Sequence, residues 1–326
     1  MNVRRLIPTA AVASVTVLGL TALSACSSSS AADKDGDGKL NVTASFYPMQ
    51  YLAQEIGGDH VSVDTLTKPG VEPHDLELSP RQTASLGEAD FILYLKGIQP
   101  AVDDAIGQSG VKNTVDAATL TKLEKHGTGV GHDHGDEHAE EHADEDHEGE
   151  GEAGADPHIW LDPVKYSEVA EGVGKAMEKA DPDHAAAYKK NTKALVKKLD
   201  GLNTKFENGL KNTGTKTFIT THSAFGYLAE RYGLDQEGIS GIDPESDPSP
   251  ARIKELQDLA KEEKVSTVFF EMLASKKTAE TLAKDAGLKT DVLDPLEGIT
   301  GKSKGDDYIE VMESNLAALQ KALGAK

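Results

Sequence analysis

Residues 126–152 hold eleven acidic residues and six histidines, no lysine or arginine, and Val130 as the one large apolar side chain. Such a segment cannot bury enough apolar surface to offset its ordering entropy, so it is predicted to be a mobile loop that no core includes. The fold must be built from the sequence on either side. Before the segment, strand-like runs at 40–46, 61–66 and 91–95 alternate with helical stretches near 50–56, 80–88 and 98–106, with a shorter strand near 111–115. After it, helical sequence returns behind Asp162-Pro163. Strands at 217–221, 265–271 and 290–293 then alternate with helices at 224–232, 251–261, 276–286 and 306–323. This alternation predicts a parallel sheet with helices on both faces in each half.

Asp181-Pro182 restarts helical sequence between the halves, with Asp181 as N-cap and Pro182 as the first helical residue. From there to Lys211 no further proline occurs, and Leu195, Leu199, Leu202, Phe206 and Leu210 recur at helical spacing. Roughly thirty helical residues span about 45 Å, enough to run the length of a domain or to join two. The expected fold is α/β: two parallel-sheet lobes joined by one long helix, with a cleft between them. The expected boundaries are an N-terminal lobe at 40–181, including the loop at 126–152, a linking helix at 182–211 and a C-terminal lobe at 212–326.

Residues 1–25 read as a secretory signal, with Arg4 and Arg5 ahead of an apolar stretch broken by Pro8. Leu23-Ser24-Ala25-Cys26 resembles a bacterial lipoprotein box, which implies lipid on Cys26 and a flexible tether over 26–39. Cys26 is the only cysteine, so no internal disulfide can form. A net charge of −21 argues against nucleic acid and anionic lipid surfaces as partners. Asp33-Lys34-Asp35-Gly36-Asp37-Gly38 opens like a calcium loop, but Ala44 occupies the position of its bidentate glutamate, so the stretch reads as a polar linker.

Three histidines stand apart in turn-rich contexts: His74 in Glu72-Pro73-His74-Asp75, His158 in Asp156-Pro157-His158, and His222 in Thr221-His222-Ser223. His74 follows the second strand of the first half and His222 the first strand of the second half. Open α/β sheets bind ligands at such strand ends. Three imidazoles and one carboxylate satisfy tetrahedral zinc. His60 and His184 read as structural or surface histidines. A hydrolase signature is missing: the one His-Glu-x-x-His-like string, His138 to His142, runs His-Ala-Glu-Glu-His inside the acidic segment. Gly301-Lys302-Ser303 echoes a phosphate loop whose first glycine is replaced by Leu296. The chain is therefore expected not to be an enzyme.

Pro73-His74-Asp75-Leu76-Glu77, Asp156-Pro157-His158-Ile159-Trp160-Leu161-Asp162-Pro163, Thr221-His222-Ser223-Ala224-Phe225-Gly226-Tyr227 and Leu293-Asp294-Pro295-Leu296-Glu297-Gly298 together resemble the zinc and manganese solute-binding lipoproteins of bacterial ABC transporters, zinc-uptake branch. The resemblance runs from about Leu40 to the C-terminus. It implies a rigid linking helix with the metal held between two lobes. His74, His158 and His222 are the implied ligands, with Glu297 as the fourth and Asp294 or water as alternatives. Manganese relatives carry a carboxylate where His222 stands, and imidazole there shifts preference toward zinc. The implied role is capture of Zn2+ outside the cytoplasm and delivery to a membrane permease, by a monomer tied to the membrane through lipid. A manganese-binding relative and a zinc-dependent surface adhesin or buffer are the alternatives. The acidic segment, with His126, His132, His134, His138, His142 and His147, is expected to collect zinc weakly and raise its local concentration.

Overall fold

The computed structural model describes residues 38–126 and 155–326, so the signal, Cys26, most of the tether and His132, His134, His138, His142 and His147 lie outside the described residues. The first half contains β1 (Leu40–Ala44), α1 (Tyr47–Gly57), β2 (Val61–Thr65), α2 (Pro80–Leu86), β3 (Phe91–Tyr94), α3 (Pro100–Ser109) and β4 (Thr114–Asp116). In β1, Leu40, Val42 and Ala44 are buried and Asn41 and Thr43 half-buried, the period-2 signature of a strand. All pairings are parallel, in the order β2-β1-β3-β4.

Two long helices follow, α4 (Pro163–Ala180) and α5 (Ala185–Leu210). Asp162 caps α4 by accepting from the Val164 N–H, with Pro163 opening the first turn. Ser79-Pro80 and Ser249-Pro250 repeat that device at two other helix starts, where proline's missing N–H has no helical acceptor to lose. Asp181 behaves differently from the expected cap. A 3-10 turn, Pro182–His184, precedes α5, and the Asp181 carboxylate pairs with His184 Nδ1 at 2.7 Å and accepts from Tyr188 Oη at 2.8 Å. His60 stacks on His184 at 4.1 Å, in keeping with a structural role for both.

The second half adds β5 (Thr217–Thr220), α6 (Gly226–Tyr232), β6 (Asp235–Gly238), α7 (Pro250–Glu262), β7 (Thr267–Phe270), α8 (Lys277–Ala286), β8 (Lys289–Val292) and α9 (Tyr308–Leu323). Its sheet is parallel in the order β6-β5-β7-β8, the same winding as the first. The strand β6 has no counterpart in the sequence reading. Asp235-Gln236-Glu237-Gly238 lacks β-branched residues and pairs only because β5 offers an open edge.

One apolar cluster runs through both halves, from Leu40 and Phe46 through Trp160 and Tyr166 to Leu316 and Leu323. The buried face of α5 (Tyr188, Thr192, Leu195, Leu199, Leu202, Phe206, Leu210) packs on α4 and α1 toward one end and on α9 toward the other. At about 39 Å it is long enough to pack on helices of both halves. Each sheet keeps a smaller core on its other face: Leu66, Leu86, Ile92 and Val102 under α2 and α3, and Ile219, Leu256, Val268 and Leu282 under α7 and α8. Among the described residues no helix is long and apolar enough to cross a membrane.

Candidate metal centre

The strand order reverses beside β1 in one sheet and beside β5 in the other, while β2 and β8 lie at sheet edges. His74 comes from the loop after β2, His222 from the turn after β5, and Glu297 from the turn after β8. His158 precedes a 3-10 turn, Ile159–Leu161, that leads into α4.

These four side chains converge. Glu297 Oε1 lies 3.3 Å from Nε2 of His74, of His158 and of His222, and the His158 and His222 Nε2 atoms are 3.4 Å apart. Zinc–ligand bonds of about 2.0–2.1 Å in a tetrahedron place ligand atoms about 3.3–3.4 Å apart. The four separations found match edges of that tetrahedron. Three of the four side chains are sealed from solvent, and His74 alone keeps 10% exposure. A crevice lined by Tyr47, Thr67, Lys68 and Ile299 reaches Glu297.

The rings are aimed by a second set of carboxylates. Asp156 Oδ1 accepts from His158 Nδ1 at 2.7 Å, and Glu271 Oε1 from His222 Nδ1 at 2.5 Å. Each places the ring proton on Nδ1 and turns the Nε2 lone pair toward Glu297. Glu271 follows β7, and His222 follows the neighbouring β5, so sheet register sets this pair. The sequence reading missed both orienting carboxylates. Asp156 sits inside the quoted Asp-Pro-His motif, and Glu271 ends a recognised strand; the strand-end rule could have found the latter.

The Glu297 turn carries strain. Leu296 has φ +59°, a left-handed conformation disfavoured by its Cβ, and its side chain is fully buried. Asp294 Oδ1 accepts the Leu296 N–H at 2.8 Å, and Asn315 bonds both the N–H and the carbonyl of Asp294. Asp294 thus braces the turn that presents Glu297 and is not one of the four converging groups.

Burial alone would raise the Glu297 carboxyl, but the imidazoles of His222, His158 and His74 hold it well below the usual range. Burial opposes charge on His158 and His222, yet Asp156 and Glu297 raise the first, and Glu271 and Glu297 raise the second well above, the ordinary imidazole value. Glu72, which accepts the His74 N–H through Oε1, is pushed up to about 8 by burial and the Glu297 charge.

His126 departs from the expectation that it belongs to a mobile loop. Its Nδ1 is 2.9 Å from Asp156 Oδ2 and its Nε2 3.1 Å from Glu230 Oε2. Its ring meets Tyr227 edge-on at 4.4 Å. Polar pairing, rather than apolar burial, holds it, so apolar content failed to reveal the anchor.

Two parallel α/β halves facing a buried centre of three imidazoles and a carboxylate define a two-lobed solute-binding architecture. The chain belongs to the family described as zinc-uptake complex component A, periplasmic (ZnuA), whose profile matches residues 42–322. It is 39% identical over 313 residues to the high-affinity zinc uptake system protein ZnuA of Bacillus subtilis, covering 93% of this chain and 94% of that protein. It is 37% identical over 309 residues to the zinc-binding lipoprotein AdcA of Streptococcus pneumoniae, covering 92% of this chain but only 58% of AdcA. Similar solved structures include the Zn(II)-bound ZnuA-like domain of pneumococcal AdcA (TM-score 0.71, 34% identity, 88% of this chain and 99% of that one). The laminin-binding adhesin Lmb of Streptococcus agalactiae is also similar (TM-score 0.74, 33% identity, 87% and 99%).

Proposed function

We propose that this chain is an extracytoplasmic receptor that captures Zn(II) and delivers it to the membrane permease of an ABC transporter. It acts as a monomer anchored through lipid on Cys26. His74, His158, His222 and Glu297 are the ligands, set between lobes at 40–181 and 212–326 that α5 links. The observation that carries this reading is the set of 3.3–3.4 Å separations among four donor atoms, which match a zinc coordination shell.

Zinc is the cargo. It enters by ligand exchange, sheds water, and displaces protons from any charged imidazole. Asp156 and Glu271 hold the rings ready, so little side-chain entropy is lost on capture. Four protein donors fill a tetrahedral shell, whereas a hydrolytic zinc keeps an open position for water. Three nitrogens in four donors favour zinc over manganese, which suits oxygen-rich octahedra. The histidine-rich segment 126–152 collects zinc weakly and raises its local concentration. Likeness to ZnuA and AdcA, named for zinc uptake and zinc binding, supports the same reading.

Radiozinc uptake by a strain lacking this chain tests the proposal: uptake should collapse at scarce zinc and return with the intact gene but not with a His222→Ala copy. Uptake that is indifferent to the deletion would overturn it. A second reading, an adhesin, rests on the likeness to Lmb, and solid-phase laminin binding with and without zinc tests it.

A further inference from the structure

We propose that Glu124, His126 and Glu230 form a second, weaker site for zinc or a similar borderline divalent cation, built into the folded domain where the histidine-rich segment begins. It rests on the receptor reading and deepens it.

One ligand atom from each of the three residues lies within 4.8 Å of the others. The geometry is looser than that of the buried centre. What distinguishes the group from a chance cluster of acids is the imidazole. Asp156, whose side chain is fully buried, takes His126 Nδ1 on Oδ2 while its Oδ1 takes His158 Nδ1. The arrangement that aims the inner ligand therefore also aims His126, with its proton on Nδ1 and its Nε2 lone pair toward Glu230. The ring cannot swing away freely. Tyr227 meets it edge-on, and a Cβ at Gly226 would fall 2.4 Å from its Cγ, so only glycine admits the ring there.

The backbone is pinned as well. Asp156 N–H donates to the Glu124 carbonyl at 2.8 Å, Glu124 N–H donates to Tyr227 Oη at 2.8 Å, and Tyr227 Oη donates to the Asp156 carbonyl at 2.8 Å. Two of the three donors thus sit on a braced frame. Glu230 is 57% exposed and His126 18%, which leaves room for water ligands and for exchange with solvent. Lys165 Nζ sits 3.3 Å from Glu124 Oε1 and draws off part of its charge. Exposure, the lysine and the open shell all make this site weaker than the buried one.

The rival state is an imidazolium paired with the carboxylates and no metal. Burial opposes charge on the His126 ring, but Asp156 and Glu230 raise its proton affinity above the ordinary value. The test is therefore run at pH 8. In the complete chain, His132, His134, His138, His142 and His147 are replaced by alanine, and zinc is titrated by calorimetry. Two equivalents are expected, one tight and one weaker. Adding Glu230→Gln, at an exposed position that does not endanger folding, should weaken the second at least tenfold and leave the first unchanged; His126→Gln should do the same. A tight equivalent with no weaker one beside it in the five-fold variant overturns the proposal, as does a second equivalent that both added substitutions leave unaltered. A weaker equivalent present without the tight one would overturn the receptor reading and leave this site standing.

Discussion

The indole N–H of Trp160 donates to the carbonyl of Pro295 at 2.7 Å, across 135 residues of sequence. That bond ties the 3-10 turn behind His158 to the strained turn that presents Glu297. Tyr308 strengthens the tie by donating from Oη to the Trp160 carbonyl at 2.6 Å, and Phe46 packs edge-on against the indole at 5.1 Å. Ligand geometry in this protein is thus held by buried bonds between loops.

Trp160→Phe keeps a smaller aromatic ring and deletes the donor, leaving the Pro295 carbonyl buried and unpaired beside a small void. An unsatisfied buried acceptor costs about 1–3 kcal/mol. Chemical denaturation should show a loss of that order, and zinc affinity should fall with it, because the Glu297 turn loses a brace. Unchanged affinity would mean that Asn315 and Asp294 hold the turn alone.

His222→Ala should weaken zinc binding more than tenfold, at least about 1.4 kcal/mol. Glu297→Gln, nearly isosteric, removes the anionic donor that faces all three imidazoles and should also cost more than tenfold. Titration against a competing chelator reads both. Affinity equal to that of the parent in either variant contradicts the ligand assignment.

Proton competition sets the pH dependence. His158 and His222 are raised above the ordinary imidazole value of about 6.5. In the metal-free chain their pairing with Asp156 and Glu271 contributes stability that is fully present below about pH 6.5 and is lost as pH rises through the folded values. Glu297 and Asp156 are lowered, so their contribution is present above the ordinary carboxylate range and is lost in acid. Zinc must displace the imidazole protons, so its affinity should climb from pH 6 to pH 8. Melting temperatures with and without zinc at pH 6, 7 and 8 should diverge progressively; a constant gap would speak against these protons.

Gly174 lies where α4 crosses α5. A Cβ there would stand 2.2 Å from Thr192 Oγ1, so Gly174→Ala must displace the Thr192 side chain or the helices themselves. Overpacking of this kind costs about 1–3 kcal/mol. Thr192→Ala in the same chain should recover part of the loss, and a thermal-melt double-mutant cycle measures the coupling.

The two α/β halves were legible because their signals are local. Alternating burial in β1, the Ser-Pro and Asp-Pro starts of α2, α4 and α7, and the 3–4 spacing along α5 each depend on residues within one or two turns of chain. The three histidines were legible because turn-rich motifs at strand ends mark where a parallel sheet presents ligands. Packing between distant segments decided the rest. Strand β6 exists because β5 leaves an edge to pair with, and Asp235-Gln236-Glu237-Gly238 would not declare itself alone. Leu296 takes a left-handed φ because Asp294 and Asn315 hold its neighbours there, a cost that no local propensity predicts. Glu271 is an ordinary acid in the sequence and becomes an orienting group only once the pairing of β5 with β7 brings it beside His222, while Asp156 reaches His158 through the local Asp-Pro-His turn. His126, alike in composition to its neighbours in the acidic run, is set apart by one buried carboxylate and one glycine that reach it from elsewhere in the chain. The sequence by itself determined most of the elements, β6 excepted, and which side chains can ligate. Tertiary structure decided how the ligands meet, because the His222 ring is aimed by Glu271 49 residues away and the Glu297 turn is held by Asn315, whereas the Asp156 that aims His158 lies only two residues from it.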